Sequence, residues 1–337
     1  MIILIRRLLT WSLVAALLLT AVLVFKLLRF QHGAIPLTSG PAIFLIRSGS
    51  NIKSISQELA RQKIIDDPWL FILLARLRGV ETRVRAGEYQ LDPGLTADEM
   101  LEKFIQGNAV QYKLTIIEGW SFRQMLAAIA EDPVIESTLQ GKTDAEIMAL
   151  LGQPDQHPEG MFFPDTYRFP KGTSDVDFLK RAYQVMQKNL EREWSQRVPG
   201  LPLKSSYEAL ILASIVEKET GAGFERPLIA AVFVERLKRK MRLQTDPTII
   251  YGLGPDFDGD IRYRDLKNDT PYNTYLRAGL TPTPIALPGI DSIRAALNPA
   301  ATDALYFVSK GDGTHKFSAT LEEHNAAVSR YQLNNKK

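Results

Sequence analysis

The sequence predicts an α+β protein with a single N-terminal transmembrane helix, a small αβ domain and a larger mixed α+β domain. Three observations support this prediction. The chain has 337 residues, which is long enough for two domains. Its hydrophobic content of 45% and charged content of 23% are those of a well-cored globular protein. Short strand-like runs also alternate with amphipathic helical patterns along the chain.

Residues 8–25 (LLTWSLVAALLLTAVLVF) predict the transmembrane helix. They form an uncharged run close to the length that a helix needs to cross a bilayer, and basic residues flank it on both sides. A cleaved signal peptide has the same order of basic and apolar residues. Because the run is long and no small-x-small cleavage site follows it, we expect an uncleaved anchor within residues 1–30. We expect the short N-terminus in the cytoplasm and the bulk of the chain outside.

A weak internal repeat follows a polar linker at residues 31–42. In three places an apolar residue stands three positions before a glycine, which is Gly49, Gly94 or Gly119. Apolar or small residues then follow three, six and ten positions after the glycine, which is helical spacing. Each copy predicts a strand, a tight turn and an amphipathic helix, since glycine adopts a positive φ without steric cost. Chance similarity is the alternative. Small units of this kind can bind peptidoglycan or chitin, or only space the larger domain from the membrane.

The larger domain is predicted to be mainly helical. Residues 133–175 are rich in turn formers and look irregular, whereas the apolar spacing beyond them is helical, with the segment LYFVS as a strand before the last helix. The predicted helices cover residues 175–197, 205–220, 226–240, 290–297 and 319–332.

The composition excludes several classes of site. The 41 basic and 38 acidic residues nearly cancel, so we expect no nucleic-acid partner. The chain has no cysteine, which excludes disulfides, thiol nucleophiles and cysteine zinc sites. The four histidines (His32, His157, His315, His324) lack metal-ligand spacing, and we expect neither a metal nor another cofactor.

The segment LILASIVEKET, at residues 210–220, is the best candidate for chemistry. Its apolar residues at helical spacing share one face with Glu217, which therefore points toward the core or a cleft. Glutamate is rarely buried unless it is paired or functional, and desolvation favours the protonated form of a carboxyl group. The alternative is a frayed helix end, where Glu217 and Glu219 meet solvent or pair with Lys218 or Arg226. The spacing alone does not decide between the two glutamates.

Two further segments combine aromatic and polar residues. Residues 241–252 (MRLQTDPTIIYG) contain Gln244 and Asp246, and residues 271–289 begin with PYNTY. Aromatic rings beside amide and hydroxyl groups suit sugar recognition. Ordinary loops that close the edge of a domain are an equally common reading of such segments.

At these residues the sequence resembles the YceG-like family of endolytic murein transglycosylases. The resemblance rests on five segments in order along the chain. They are EGMFFPDTYRF (159–169), ASIVEKET (213–220), MRLQTDPTIIYG (241–252), PYNTY (271–275) and HKFSATLEEHN (315–325). The loop GLTPTPIALPG departs from the family pattern at Thr281, Thr283 and Leu287, so its detailed contacts are not transferred.

The resemblance implies a LysM-like domain at residues 43–110 and a catalytic domain at residues 111–333. It implies cleavage of nascent peptidoglycan glycan strands without water, with Glu217, the first glutamate of EKET, as the acid/base. The polar residues that would line the cleft are Gln244, Asp246, Tyr272, Asn273, Tyr275 and Asn325.

The implied location is a single-pass anchor in the bacterial inner membrane, with the catalytic part in the periplasm. Peptidoglycan synthases would fit as partners of such a tethered enzyme, although no residue indicates them. Two rival functions stay open. One is a hydrolytic muramidase with Asp246 as second carboxylate, and the other is a non-catalytic wall-binding scaffold.

Overall fold

The computed structural model describes residues 2–37 and 40–333, which form a mixed α+β protein as predicted. The predicted linker at residues 31–42 lies partly outside the described residues. The helices are α1 (Ile2–His32), α2 (Ile52–Arg61), α3 (Pro68–Leu77), α4 (Ala97–Gln106), α5 (Phe122–Glu131), α6 (Asp144–Leu150), α7 (Asp175–Ser195), α8 (Ser206–Glu219), α9 (Arg226–Lys238), α10 (Asp246–Leu253), α11 (Tyr263–Lys267), α12 (Ile290–Leu297) and α13 (Leu321–Val328). The strands are β1 (Ala42–Ile46), β2 (Gly87–Leu91), β3 (Gln111–Thr115), β4 (Thr166–Pro170), β5 (Tyr306–Ser309) and β6 (His315–Ser318).

The chain divides into two compact units. The first contains Met1–Lys113, Val134–Glu136 and Arg168–Thr173. The second contains Leu114–Pro133, Ser137–Tyr167 and Ser174–Lys337.

The first unit begins with α1, whose segment Thr10–His32 is long and apolar enough to cross a membrane, with a mean hydropathy of 2.3. A signal sequence near the N-terminus meets the same criteria. Towards the end of α1, Leu27 and Phe30 pack against the hydrophobic core of this unit. The same helix therefore supplies an apolar segment of membrane-spanning length and part of the core of a folded domain.

The rest of this core lies between an antiparallel pair of strands and the helices α2, α3 and α4. Strands β1 and β2 pair from Ala42 opposite Leu91 to Ile46 opposite Gly87. The ring of Phe104 lies at the centre, 4.8 Å from that of Tyr89 and 5.8 Å from that of Phe44 between ring centroids. Burying large aromatic side chains of this kind is a main source of stability in a small domain.

The three predicted strand–turn–helix copies are present. Gly49, Gly94 and Gly119 adopt φ angles of +78°, +88° and +78°. The helices that follow are α2, α4 and α5, and each begins with a capping box in which the side chains of the N-cap and N3 residues bond each other's backbone N–H groups. The copies differ in their strand pairing, because β1 pairs with β2 whereas β3 pairs with β4.

The second unit is built around α8, in which every residue from Ala209 to Val216 is buried. Helices α7, α9 and α12 pack against it. Strands β5 and β6 form an antiparallel hairpin from Tyr306 opposite Ser318 to Ser309 opposite His315. A helix buried on all sides needs neighbours on all sides, and this arrangement fixes the position of its C-terminal end.

The predicted helices of this unit are confirmed, with ends that differ by a few residues from the expected ones. Residues 133–175 are more regular than predicted, because they contain α6 and β4. The final helix is shorter than predicted, since α13 ends at Val328 and passes into a π-helical turn at Ser329–Leu333.

Candidate functional site

The two glutamates of the EKET segment lie in the last turn of α8, which ends where Thr220 adopts an extended conformation with φ −143° and ψ 134°. Residues two positions apart on a helix point about 200° apart around its axis. Glu217 and Glu219 therefore face different surroundings.

Glu217 lies in an ion-pair cluster. Its Oε1 accepts a hydrogen bond from Arg226 Nη2 at 3.2 Å, and its Oε2 accepts one from the backbone N–H of Gly289 at 2.9 Å. Only 6% of its side chain is exposed. Glu118 Oε2 lies 3.9 Å from the same Arg226 nitrogen. Both oxygens of Glu217 thus have protein partners, which is typical of a buried carboxylate that holds elements together.

The charge of this cluster also acts on Glu118, whose side chain is half-exposed. Burial, and then the nearby charge of Glu217, raises the pKa of the Glu118 carboxyl group, whereas Arg226 opposes that change. A single guanidinium therefore serves two carboxylates.

Glu219 has a different environment. Its Oε1 accepts a hydrogen bond from Thr245 Oγ1. Burial raises the pKa of the Glu219 carboxyl group, the Thr245 hydrogen bond lowers it and the nearby charge of Asp246 raises it, with a net value of about 7. The residue lines a cavity of about 580 Å³ in the second unit. A carboxyl group with a pKa near neutrality can donate a proton and then accept one at physiological pH.

The cavity brings together four of the six residues predicted to bind substrate. Gln244, Asp246, Tyr275 and Asn325 all line it beside Glu219. Asp246 Oδ1 accepts a hydrogen bond from the Tyr275 hydroxyl group at 2.6 Å. Glu217 is not among the lining residues. The geometry therefore groups the predicted binding residues with the second glutamate of the segment, not with the first.

Gln244 stands at a strained position. It adopts φ +51°, a value that residues other than glycine rarely adopt. Its backbone N–H donates to the carbonyl oxygen of Thr274 at 3.2 Å, and Thr245 N–H donates to the Thr274 hydroxyl group at 3.1 Å. These bonds fix the chain on either side of Gln244, and such strain is concentrated at functional sites.

The other two predicted residues lie elsewhere, because their polar atoms are used inside the protein. Asn273 is buried, and its Nδ2 donates to the carbonyl oxygens of Leu266 and Asn268 at 3.0 and 2.7 Å. The hydroxyl group of Tyr272 lies 2.9 Å from that of Thr283. Neither residue lines the cavity, so the sugar-binding reading of PYNTY applies only to its last tyrosine.

Three further residues line or support the cavity and were not predicted as site residues. They are Arg236, His315 and Glu225. Arg236 is buried and donates to the carbonyl oxygens of Leu305 and Leu243 at 2.7 and 2.8 Å. Its side chain ties the residue before β5 to the segment before α10. His315 also lines the cavity, and buried Glu225 holds it. The segment HKFSATLEEHN contains His315, but its spacing alone gives no ligand pattern.

Among the described residues, no group of three or more histidine, aspartate or glutamate side chains is arranged to hold a metal ion. The cavity instead combines carboxyl, amide, imidazole and phenol groups, from Glu219, Asp246, Gln244, Asn325, His315 and Tyr275.

The chain is similar to proteins of one known family. The model of the YceG-like family matches residues 44–330. A protein from Bacillus subtilis named endolytic murein transglycosylase is 34% identical over 303 residues, which cover 85% of this chain and 83% of that protein. One of the same name from Streptococcus pneumoniae is 27% identical over 321 residues, and the match spans only 57% of its length.

A crystal structure at 2.6 Å of a yceG-like protein from Listeria monocytogenes superposes with a TM-score of 0.53 and 32% sequence identity. It covers 85% of this chain and 99% of the Listeria chain. The family match extends over both units and includes every residue of the cavity wall named above. The chain therefore belongs to the YceG-like family.

Proposed function

We propose that the protein is an endolytic murein transglycosylase. It cleaves the β-1,4 bond between N-acetylmuramic acid and N-acetylglucosamine within peptidoglycan glycan strands. Membership of the family and the named relatives support this function. The observation that carries it is the Glu219 carboxyl group, which has a pKa of about 7 and lines a cavity with four polar residues expected to bind sugar.

Glu219 is the acid/base of this proposal, in place of Glu217. A catalytic carboxyl group must reach the substrate and exchange a proton with it near neutral pH. Glu219 lines the cavity and has the raised pKa. Glu217 instead has one oxygen on Arg226 and the other on the Gly289 N–H. We assign Glu217 a structural role, in which its bonds to Arg226 and Gly289 fix the end of α8.

The reaction needs one carboxyl group. Protonated Glu219 donates its proton to the bridging oxygen as the bond from that oxygen to C1 of the muramic residue breaks. The 6-hydroxyl group of the same sugar attacks C1, and the Glu219 carboxylate takes the proton of that hydroxyl group. An intramolecular nucleophile has a high effective concentration, so no activated water is required. The product carries a 1,6-anhydro ring, and Glu219 is protonated again.

The remaining cavity residues bind and orient the glycan. Gln244 and Asn325 offer amide groups to hydroxyl and acetamido groups of the sugar, and the ring of Tyr275 offers an apolar surface beside them. Asp246 faces Glu219 and raises its pKa, which favours the protonated form needed at the start of the reaction. Its bond from Tyr275 keeps it in place.

The proposal extends to the organisation of the chain. Residues 1–30 form an uncleaved single-pass anchor in the bacterial inner membrane, residues 43–110 a LysM-like domain that binds the glycan, and residues 111–333 the catalytic domain in the periplasm. The order β1, α2, α3, β2 supports a small wall-binding unit. A tethered enzyme reaches strands close to the membrane, so it trims or terminates nascent glycans beside peptidoglycan synthases.

One specific observation favours a second function. Asp246 and Glu219 line the same cavity, and two carboxyl groups are what a hydrolytic muramidase requires. In that case Asp246 would activate a water molecule, and the product would have an ordinary reducing end.

Mass spectrometry of glycan fragments separates these functions. Purified peptidoglycan and nascent strands are digested with the full chain in detergent, as wild type, Glu219→Gln and Glu217→Gln. We expect internal cuts with 1,6-anhydro ends from wild type and from Glu217→Gln, and none from Glu219→Gln. Hydrated reducing ends would establish the muramidase. Loss of cleavage in folded Glu217→Gln alone would return the acid/base role to Glu217, and no cleavage by folded wild type would leave a wall-binding scaffold.

A further inference from the structure

Glu225 and His315 form a buried pair in the cavity wall that the reaction above does not use. Glu225 Oε2 lies 2.7 Å from the ring nitrogen Nδ1 of His315, and its Oε1 accepts a hydrogen bond from the His315 backbone N–H at 2.9 Å. Only 5% of the Glu225 side chain and 13% of the His315 side chain are exposed. One carboxylate thus holds both the backbone and the ring of the same residue.

This geometry fixes which ring nitrogen carries the proton. A carboxylate can only accept hydrogen bonds, so His315 Nδ1 must carry the hydrogen that it shares with Glu225. In the neutral ring, Nε2 is then left with a lone pair. Among the described residues, no protein group makes a hydrogen bond with Nε2 of His315.

The ring itself is held in one orientation. The ring of Phe307 stands edge-on to it at 5.4 Å between centroids, and that of Phe317 lies 6.4 Å away. Two aromatic neighbours and a bidentate carboxylate leave the imidazole little freedom. A pair that served only to join β6 to the turn before α9 would not need to lie in the wall of the cavity. His315, however, is a lining residue beside Glu219 and Asp246.

We propose that His315 is a substrate-binding residue whose Nε2 accepts a hydrogen bond from a hydroxyl group of the glycan, and that Glu225 is the positioning residue that holds the hydrogen of the neutral ring on Nδ1, so that Nε2 is the acceptor. The inference rests on the proposed function, because it takes the cavity to be the glycan site. Hydroxyl groups are the donors that a sugar offers in number. A bare Nε2 selects such a donor and leaves carbonyl oxygens to the amide groups of Gln244 and Asn325.

The substitution that tests the binding role is His315→Asn. The amide Nδ2 of asparagine takes the place of Nδ1, so Glu225 keeps a donor. Asparagine has no atom at the position of Nε2, so the proposed acceptor is lost. We expect a folded protein whose KM for glycan strands rises about tenfold with kcat changed less than twofold, as befits one lost hydrogen bond made equally in ground and transition states. The control is His157→Asn, since His157 lies outside the cavity and accepts a bond from the Glu159 backbone N–H.

The positioning role is tested by nitrogen NMR of the full chain in detergent with ¹⁵N-labelled histidine. The chain has four histidines, so substitution assigns each signal. In the neutral ring we expect His315 to carry its hydrogen on Nδ1, and Glu225→Gln to move that hydrogen to Nε2, because the glutamine amide can donate to Nδ1. In the Glu219→Gln background, an uncleaved glycan oligosaccharide should shift the Nε2 signal.

An unchanged KM in His315→Asn, or an Nε2 signal unmoved by saturating oligosaccharide, would overturn the binding role while leaving the transglycosylase intact. The failure of the proposed function looks different, since the folded wild-type protein would then give hydrated reducing ends or no cleavage at all, whatever His315→Asn does. A bare Nδ1 in the wild-type protein would overturn the role assigned to Glu225.

Discussion

Glu217 and Glu219 stand two positions apart in the sequence but have different partners in the structure. The apolar spacing along the helix predicts that Glu217 faces inward, and its side chain is indeed buried. The two groups that donate hydrogen bonds to its carboxylate, Arg226 and the Gly289 N–H, come from the starts of α9 and α12. Because these groups lie elsewhere in the chain, helical periodicity predicts a buried carboxylate without revealing that it is already paired. The same limit hides the cavity beside Glu219.

The raised pKa of Glu219 has a consequence for stability. Its value is about 7 in the folded protein against 4.5 for an ordinary glutamate. Between these values the folded state binds more protons than the unfolded state, so the free energy of unfolding falls as the pH rises from 4.5 to 7. A shift of this size corresponds to about 3 kcal/mol. We expect the free energy of unfolding of Glu219→Gln to lack this fall between pH 4.5 and pH 8. Denaturant unfolding of both proteins at the two pH values measures it.

The quantity compared is the difference in free energy of unfolding between wild type and Glu219→Gln at each pH. Glu159, whose pKa burial also raises to about 7, is present in both proteins, and its contribution cancels. If the two proteins lost equal stability between the two pH values, the folded-state pKa of Glu219 would be ordinary and its role as the proton donor would lose its support.

Glu217→Gln is expected to act on stability. The substitution leaves Arg226, of whose side chain 14% is exposed, without its nearer carboxylate. Breaking a buried ion pair from one side typically costs about 3 kcal/mol, and Glu118 at 3.9 Å offsets only part of this. Urea unfolding at pH 7 measures the loss. The control is Glu191→Gln on the exposed face of α7, which should change stability by less than about 0.5 kcal/mol. Equal effects of the two substitutions would mean that the pair contributes nothing.

At the scale of elements, the sequence predicts best where a pattern is local. The three glycine turns and the helices after them follow from glycine conformation, capping residues and apolar spacing, all within about ten residues. The hairpin partner β6 and helix α10 were not predicted. The first is only four residues long, and the second begins at Asp246-Pro247, in a segment read as a binding loop. Short elements of this kind are stabilised by distant partners, which no local pattern contains.

Gly160 shows how a tertiary contact adds to a local requirement. It adopts φ +78°, and a Cβ atom there would lie 2.4 Å from Pro284 Cβ and 2.6 Å from Pro284 Cγ. We therefore expect Gly160→Ala to lower the free energy of unfolding by about 3 kcal/mol, of which about 1 kcal/mol comes from the backbone conformation. Thermal or urea unfolding measures this loss.

Gly152→Ala is the matched control. Gly152 adopts φ +80°, but a Cβ atom there would meet nothing within 4 Å. Only the backbone term of about 1 kcal/mol should remain. Equal losses for the two substitutions would show that the loop carrying Pro284 moves away freely, and that the contact does not fix it.

At the scale of the whole molecule, composition and hydropathy predict the mixed α+β class and the apolar N-terminal helix, and the five sequence segments predict the family. The assembly of the cavity is beyond them. It takes Glu219 from the end of α8, Asp246 from the start of α10, His315 from β6 and Asn325 from α13. These four elements are spread over about a hundred residues and meet only through tertiary packing. No local sequence pattern therefore predicts that their side chains line one cavity.

The last prediction concerns the N-terminal helix of the whole chain. Leu27 and Phe30 pack against the core of the first unit, so cleavage behind the apolar run would remove part of that core. We expect the protein recovered from bacterial membranes to resist alkaline extraction and to have the intact mass of a chain that retains residues 2–30. Two arginines at Leu17 and Leu18 should abolish membrane insertion, since each costs about 3 kcal/mol at the centre of a span. Arginine at the exposed Leu150 of α6 is the control for the added charge. A soluble chain that begins near residue 30 would identify the run as a signal sequence, and the packing of Leu27 and Phe30 would then be absent from the mature protein.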